Sequence, residues 1–328
     1  MITDEVIPIF LTFDEKYVLP GGVAIYSLLK HASKAYSYKI IIAGENISPR
    51  GRKIIDYAIR EYREYVNIEY INIEGDINEV WKTSIKTAYF TVEAAYKLFI
   101  AEILRQYDKI IISDVDVIFS SDISEVYQQF KIGKGYFFAG VRPVEKIYDF
   151  YNNSYALSFT PQEIIDQKNG IASGFLIADL KSIREYNKEK DFIRSFEENS
   201  NRLVQPEQDV INFTCSGHLL FLPLRFLVCN YIYDLYRDNL EDVVYTPNEI
   251  IEAMNRPVQL HFPGKPKPWE SRTITKSEVW YSYLKDSGLA PLFYGMVMKK
   301  NVIEFTGRVI RKMRKIGGVV YRKLLTKA

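Results

Sequence analysis

Short apolar runs alternate with segments of helical periodicity along the first two thirds of the chain. The apolar runs predict strands at Val6–Phe13, Tyr38–Ile42, Val66–Ile73, Lys109–Phe119, Tyr136–Val141 and Val258–Phe262, and within 170–180 and 218–228. The periodicity predicts helices at 23–31, 48–65, 91–106, 181–199 and 206–214. Strands that alternate with helices are typical of a layered α/β fold. We therefore predict one α/β domain over residues 1–270, followed by a helical C-terminal segment over residues 271–328.

Length and composition agree with a globular protein. The chain has 328 residues, of which 47% are hydrophobic and 26% charged, values near the globular average. This excludes a disordered chain, a fibrous repeat and a disulfide scaffold, and the two cysteines, Cys215 and Cys229, are expected to be buried free thiols. The N-terminus lacks the basic start of a signal peptide, and no apolar stretch reaches the ~20 residues of a membrane span. We expect a cytoplasmic protein.

The net charge of +2 conceals a strong asymmetry. Residues 299–328 hold ten Lys or Arg and one acid, Glu304, for a charge of +9, whereas the remaining residues hold 33 basic and 40 acidic side chains. Apolar residues recur in this tail at every third or fourth position, from Val302 to Leu324. A basic amphipathic helix is typical of segments that lie on anionic membranes. Packing on its own domain and nucleic-acid binding are the alternatives, and we expect the membrane surface and no nucleic acid.

Two carboxylates interrupt an apolar run at Asp114-Val115-Asp116. In an extended segment Val115 points to the opposite face, so the two carboxylates share one face. Burying them costs free energy unless a partner compensates their charge. Paired oxygen ligands of this kind suit a divalent cation. The alternative is a strand end that reaches solvent, with the acids capping the next turn.

Two further segments carry candidate chemistry. His261, one of three histidines, ends a predicted strand and enters a loop with one Gly, two Lys and three Pro. Such a loop suits a metal-bound diphosphate, with imidazole on the metal and cations on phosphate oxygens; the alternative is a surface turn stiffened by proline. Glu207, Gln208 and Asp209 open a predicted short helix, where acids are also ordinary partners of the helix dipole.

These segments together resemble the family-8 retaining glycosyltransferases, which use nucleotide-sugar donors and have the GT-A fold, a Rossmann-like mixed sheet flanked by helices. The similarity covers about residues 6–270 and is greatest to bacterial lipooligosaccharide and lipopolysaccharide galactosyl- and glucosyltransferases. The pattern H-x-x-G-x-x-K-P-W is matched in full at His261, Gly264, Lys267, Pro268 and Trp269. It is joined by Asp114 and Asp116 and by the x-Q-D-x-x-N pattern of Gln208, Asp209 and Asn212.

The resemblance implies a role for each matched position. A Mn²⁺ site, with Mg²⁺ as the alternative ion, would be formed by Asp114, Asp116 and His261. The nucleotide of a UDP-sugar would be bound by Asp14, Tyr17, Lys97, Val115, Gly264 and Lys267. The donor sugar would be bound by Arg142, Ser173, Gly174, Glu207 and Gln208. Gln208 and Asp209 would be catalytic, with Gln208 beside the anomeric carbon.

Three positions depart from the family pattern. Lys97 replaces the usual Arg, which keeps the charge but loses the bidentate fork. Pro143 follows Arg142 where the family commonly has R-D, and Ala172 precedes Ser173-Gly174 where it usually has N-A-G or N-S-G. Two polar contacts to the donor sugar are therefore missing by this match. We expect a donor other than plain galactose or glucose.

The expected activity is metal-dependent transfer of a hexose, or a modified hexose, from a UDP-sugar to a cell-surface glycan or lipid-linked acceptor, with retention at the anomeric carbon. The resemblance favours front-face attack, with Asp209 or Glu207 as the alternative nucleophile. A catalytically silent module that binds a nucleotide or glycan is an alternative function, and a nucleotidyltransferase is a third. Acceptors are expected on residues 143–169 and 225–250. The protein would lie peripherally on the inner face of the membrane.

Overall fold

The computed structural model describes residues 5–44, 47–73, 95–147 and 158–299. The strands of this part are β1 (Val6–Thr12), β2 (Ser37–Ala43), β3 (Val66–Ile71), β4 (Lys109–Ser113), β5 (Val117–Phe119), β6 (Phe138–Val141), β7 (Ala172–Asp179), β8 (Leu219–Leu222), β9 (Val228–Cys229) and β10 (Gln259–His261). Short 3₁₀ helices occur at Glu15–Tyr17, Tyr96–Leu98 and Leu224–Phe226.

The α-helices of the same part lie between and after these strands. They are α1 (Val18–His31), α2 (Pro49–Ala58), α3 (Ile100–Ile103), α4 (Ser124–Gln129), α5 (Pro161–Lys168), α6 (Leu180–Glu185), α7 (Lys188–Asn199), α8 (Pro206–Thr214), α9 (Ile232–Leu235), α10 (Pro247–Asn255) and α11 (Ser277–Asp286). Residues 290–299 are also helical. None of these helices is both long and apolar enough to cross a bilayer.

Two sheets organise the described part of the chain. The larger has seven strands in the order β3-β2-β1-β4-β7-β6-β8, and the smaller has three in the order β5-β10-β9. Strands β3, β2, β1 and β4 run parallel, while β7 is antiparallel to both of its neighbours. The helices α1 and α2 connect the parallel strands, as crossover connections require. The predicted α/β fold with a mixed sheet is confirmed.

The central strands bury both of their faces. Ile9, Ile111 and Ile177 point into one apolar cluster, and their neighbours in the chain point into a second cluster on the other side of the sheet. This alternation follows from the period of two in an extended chain. Trp280 of α11 and Phe293 pack in the first cluster, together with α1.

The boundary placed at residue 270 stays a prediction, and the tail of residues 300–328 lies outside the described residues.

The predicted strand Lys109–Phe119 is wrong as one element. It forms two strands, since β4 pairs with β1 and β7 in the larger sheet and β5 pairs with β10 in the smaller. Asp114, Val115 and Asp116 form the crossing between the sheets. An apolar pattern cannot reveal this division, because both halves are buried and partner strands far along the chain determine where each one pairs.

Other boundaries also differ from the prediction. The helix expected over 181–199 is two helices, α6 and α7, separated at Asn187, whose φ of 52° lies in the left-handed region. The helix expected over 48–65 begins as predicted, with Ser48 as N-cap and Pro49 in the first turn, but ends at Ala58. The region 218–228 holds β8, a 3₁₀ turn and the start of β9. Residues 91–94 of another predicted helix lie outside the described residues.

Candidate metal centre at the junction of the two sheets

Three side chains meet where the larger sheet passes into the smaller. Asp114 follows β4, Asp116 precedes β5, and His261 ends β10. His261 Nε2 lies 3.5 Å from Asp114 Oδ2 and 3.2 Å from Asp116 Oδ1. One ligand atom from each residue lies within 4.8 Å of the other two. Backbone hydrogen bonds hold this geometry, because Asp114 N donates to Gly174 O and Phe262 N donates to Asp116 O.

Opposite charges compensate one another at this junction. Burial alone would lower the pKa of His261, but the carboxylate of Asp116 outweighs it and raises this pKa to about 10. Burial likewise opposes ionisation of Asp116, and His261 and Lys267 hold its pKa well below the usual range. Two carboxylates and an imidazole with its Nε2 directed at them are a donor set that suits a divalent ion such as Mn²⁺ or Mg²⁺.

Two buried lysines flank the candidate metal centre. Lys97 Nζ lies 2.5 Å from Asp114 Oδ1 and donates to Ser173 O at 3.1 Å. Lys267 Nζ pairs with Asp116 Oδ2 and donates to Phe262 O at 2.8 Å. Burial disfavours both cations, yet the adjacent carboxylates raise both pKa values above their ordinary range. Both side chains are therefore charged and compensate the acids.

The start of α8 forms the wall beside Lys97. Glu207 Oε1 lies 3.7 Å from Lys97 Nζ and accepts from Ser173 Oγ at 2.9 Å. Gln208 Oε1 accepts from Ser173 N at 3.1 Å. The other carboxylate oxygen of Glu207 is buried and has no hydrogen-bond partner among the described residues. The structure thus brings together Lys97, Ser173, Glu207 and Gln208, to which the family resemblance gives roles in binding the nucleotide and the sugar.

Asp209 is turned into the protein interior. Its side chain accepts from Val204 N at 2.7 Å, Gln205 N at 2.8 Å and Gln167 Nε2 at 3.0 Å. The residue is fully buried, and burial raises the pKa of Asp209 to about 8. Asp209 therefore lies in the first turn of α8 with its carboxylate in the protein interior, and its expected catalytic role stays a prediction.

Asn212 supports the strand that carries Ser173. Its side chain accepts from Ile171 N at 2.9 Å and donates to Ile171 O at 3.2 Å and to Gln167 Oε1 at 2.9 Å. A Cβ at Gly170 would lie 2.2 Å from the Asn212 side chain, so only glycine fits there. Gln167 and Gly170 were missed by the sequence reasoning, since nothing local marks them as partners of α8.

Asp14, Tyr17 and Gly264 are further residues that are expected to bind the nucleotide. Tyr17 is half-buried, and its ring meets Trp269 edge-on at a centroid distance of 5.7 Å. Asp14 accepts from Lys16 N at 2.9 Å and caps the 3₁₀ turn that ends at Tyr17. Gly264, in the loop between His261 and Lys267, adopts a φ of 73°, in the left-handed region that favours glycine.

Two other predicted residues make different contacts. Val115 is buried in the apolar cluster that also holds α1. The guanidinium of Arg142 lies 5.1 Å from the centroid of the Phe221 ring and donates to Lys168 O at 3.3 Å. Tyr245 Oη donates to Arg142 O at 2.7 Å. The contacts of Arg142 tie β6 to β8 and to the loop before Thr246, and its expected role in sugar binding stays a prediction.

The fold and this site define a glycosyltransferase of the GT-A class. Residues 8–273 match the family described as glycosyl transferase family 8, so the chain belongs to that family. General stress protein A of Bacillus subtilis (strain 168) is 22% identical over 83% of this chain and 91% of its own length. Glycosyltransferase GlyF of Streptococcus pneumoniae serotype 4 is also 22% identical, over 84% of this chain and 60% of its own length.

Solved structures of other glycosyltransferases share the fold. The bifunctional glycosyltransferase WbbM superposes with a TM-score of 0.72 at 19% identity, covering 90% of this chain and 52% of WbbM. The galactosyltransferase LgtC, solved with donor and acceptor sugar analogues, superposes with a TM-score of 0.66 at 16% identity, covering 85% of this chain and 96% of LgtC. This chain therefore spans nearly all of LgtC but about half of WbbM.

Proposed function

We propose that this protein is a metal-dependent retaining hexosyltransferase that moves a hexose, or a modified hexose, from a UDP-sugar to a cell-surface glycan or a lipid-linked acceptor. The observation that carries this proposal is the cluster of Asp114, Asp116 and His261 with a charged lysine on each carboxylate. Membership of glycosyl transferase family 8 supports transfer of a sugar. The cluster suits a metal-bound diphosphate, because its lysines would place positive charge beside the phosphate oxygens.

Different residues of the site have different roles in the proposed reaction. The bond from the anomeric carbon to the phosphate oxygen breaks, and a bond to the acceptor oxygen forms on the same face. Asp114, Asp116 and His261 would hold a divalent ion, which would supply Lewis-acid stabilisation of the diphosphate. Lys97 and Lys267 add positive charge on its two sides. Gln208 stabilises the oxocarbenium-like centre, and the leaving phosphate oxygen takes the proton of the acceptor.

Gln208 rather than a carboxylate is assigned to the reacting face. An amide is a poor nucleophile, whereas retaining glycosidases use a carboxylate there. Asp209, one of the two alternative nucleophiles beside Glu207, is fully buried and accepts two backbone hydrogen bonds. One solved structure of LgtC carries an active-site change of glutamine to glutamate, which supports a role for a glutamine in that protein.

The donor is proposed to be a UDP-sugar other than plain galactose or glucose. Pro143 and Ala172 lack the polar side chains that the family commonly presents to the donor sugar, and Val141 and Ala172 are register partners of β6 and β7. Both departures therefore lie at one end of one strand pair. A larger or N-acetylated substituent would fill the space left beside Ser173.

A panel of UDP-sugars tests the activity. We expect Mn²⁺-dependent release of UDP from one donor in preference to UDP-galactose and UDP-glucose, and an Asp116→Asn variant slower by at least about 100-fold. The control is Asp108→Asn, which removes an exposed carboxylate just before β4. NMR of the product reports whether the anomeric configuration is retained.

The alternative of a catalytically silent module makes a different prediction for the same panel. If the protein is such a module, UDP should bind in the presence of Mn²⁺ and no donor should be turned over. Comparable turnover of UDP-galactose and no preference for another sugar would contradict the proposed donor. Trapping of a glycosyl–enzyme adduct would replace the front-face mechanism with a carboxylate nucleophile.

The basic tail is proposed to hold the enzyme on the inner face of an anionic membrane, where lipid-linked acceptors are found. The support is the sequence pattern of residues 299–328, with a charge of +9 and apolar residues at helical spacing. Co-sedimentation with anionic vesicles tests it. We expect the full chain to bind and a full-length variant with Arg311, Lys312, Arg314 and Lys315 changed to Ser to bind less. Equal binding by a chain ending at Met298 would refute it.

A further inference from the structure

The imidazole of His261 packs against residues of two other strands, β9 and β7. Its Nε2 is directed at the two carboxylates, at 3.2 and 3.5 Å. Its other ring nitrogen, Nδ1, lies 3.8 Å from Cys229 Sγ. Cys229 and His261 are register partners in the parallel strands β9 and β10, so their side chains project from the same face of the smaller sheet. The thiol therefore contacts the side of the ring that faces away from the metal centre.

The backbone of β7 approaches the same imidazole ring at Gly174. A Cβ on Gly174 would lie 3.0 Å from His261 Cε1, 3.1 Å from Nδ1 and 3.0 Å from Leu227 Cδ1. Contacts this short force neighbouring atoms to move. Gly174 O also accepts from Asp114 N at 3.2 Å, so the same residue supports one carboxylate and the imidazole. A side chain here would push the ring out of its orientation.

We propose that Cys229 and Gly174 are positioning residues for His261: the sulfur accepts a hydrogen bond from Nδ1–H, and the glycine leaves room for the ring, so that Nε2 stays directed at Asp114 and Asp116. This inference rests on the proposed metal site. A metal-binding histidine usually has its second nitrogen held by an acceptor, which fixes the tautomer and the ring orientation. Here the acceptor is a thiol from the neighbouring strand.

Direct binding of Mn²⁺ tests the role of Cys229. The free-ion EPR signal is titrated with the full-length protein in the presence of UDP. Loss of an outer partner typically weakens metal binding by about 10- to 100-fold, and we expect this loss for Cys229→Ala and a smaller one for Cys229→Ser, which keeps an acceptor. The matched control is Cys215→Ala, since Cys215 is the other buried free thiol and contacts Thr214 instead.

The same titration tests Gly174 against a glycine that is equally crowded elsewhere. A Cβ on Gly140 would lie 2.9 Å from both Ile171 Cδ1 and Leu176 Cδ2, with no contact to His261. We expect Gly174→Ala and Gly140→Ala to lower Tm alike, and only Gly174→Ala to weaken Mn²⁺ binding. Variants at Cys229 and Gly174 that bind Mn²⁺ like their controls would overturn the positioning role. A wild-type protein that binds no Mn²⁺ would instead overturn the proposed metal site.

Discussion

At the scale of single residues, each aspartate of the candidate metal centre presents one oxygen to a lysine and the other to His261. Asp114 presents Oδ1 to Lys97 and Oδ2 to His261. Asp116 presents Oδ2 to Lys267 and Oδ1 to His261. The lysines therefore hold each carboxylate in a fixed orientation and leave one oxygen of each facing the imidazole.

Removal of the charge at Lys97 should impair catalysis. Lys97→Met keeps the length of a fully buried side chain but leaves Asp114 and Glu207 without their cation. Loss of one preorganised donor costs about 100- to 1000-fold in kcat, and we expect a loss in that range. Steady-state kinetics with the preferred donor measure it. Lys39→Met, which breaks an ion pair with Glu69, should leave kcat unchanged.

Asp209 should contribute a pH dependence of stability that its amide analogue lacks. Its pKa is raised to about 8 in the folded protein, above the ~3.9 of an unfolded aspartate. The folded state therefore holds a proton that the unfolded chain has lost, and the free energy of unfolding falls as the pH rises from about 4 to about 8. Denaturant titrations should show a weaker fall for Asp209→Asn.

Asp209→Asn also tests whether Asp209 acts as a nucleophile or only accepts hydrogen bonds at the start of α8. An asparagine oxygen can still accept from Val204 N and Gln205 N, so Asp209→Asn should keep most of its activity. Complete loss of activity in a variant with a normal Tm would return Asp209 to the list of nucleophiles. The sequence pattern alone could not decide whether Asp209 is a nucleophile. Gln208 and Asp209 are adjacent in the first turn of α8, yet their side chains face different surroundings.

At the scale of elements, the motifs predicted which residues meet but not how their elements are divided. Asp114, Asp116 and His261 were predicted together and lie together. The division of Lys109–Phe119 between two sheets depends on pairing with β7 and β10, which lie far along the chain. The break at Asn187 likewise needs a left-handed residue that a helical pattern does not show. Distant partners, rather than local propensity, determine these boundaries.

The helices after residue 270 should stabilise the catalytic fold. Phe293 is buried against Trp280 of α11, at a centroid distance of 5.6 Å. Truncation of a buried aromatic typically costs about 3–5 kcal/mol, so Phe293→Ala should lower the free energy of unfolding by that amount. The neighbouring Tyr294 is exposed, and Tyr294→Ala should cost less than about 1 kcal/mol. Equal effects would mean that this helix does not belong to the folded core.

At the scale of the whole molecule, the candidate metal centre lies where the two sheets meet. Asp114 extends from the larger sheet, while Asp116 and His261 belong to the smaller. A ligand that binds all three residues connects the sheets across their junction. The fold class was predictable, because the motifs and the strand pattern point to the same family; the acceptor was not, because no motif describes the loops that would bind it.

Mn²⁺ and UDP together should therefore stabilise the native protein. A ligand at 100 times its Kd adds about 2.7 kcal/mol to the free energy of unfolding. We expect a rise in Tm with both ligands, reversal by a chelator, and a much smaller rise in Asp116→Asn. Differential scanning fluorimetry measures all three. An unchanged Tm at saturating ligand would contradict a site that spans both sheets.

The aromatic contacts that begin at Tyr17 have an optical consequence. Trp269 lies 5.7 Å from Tyr17 and 5.5 Å from Trp280, so two indoles lie next to the expected nucleotide position. Indole emission responds to the polarity and packing of its surroundings. A base that stacks on Tyr17 would alter the environment of Trp269 and, through it, the emission of the pair. Intrinsic tryptophan fluorescence would then follow how fast a nucleotide arrives and leaves, with no external label.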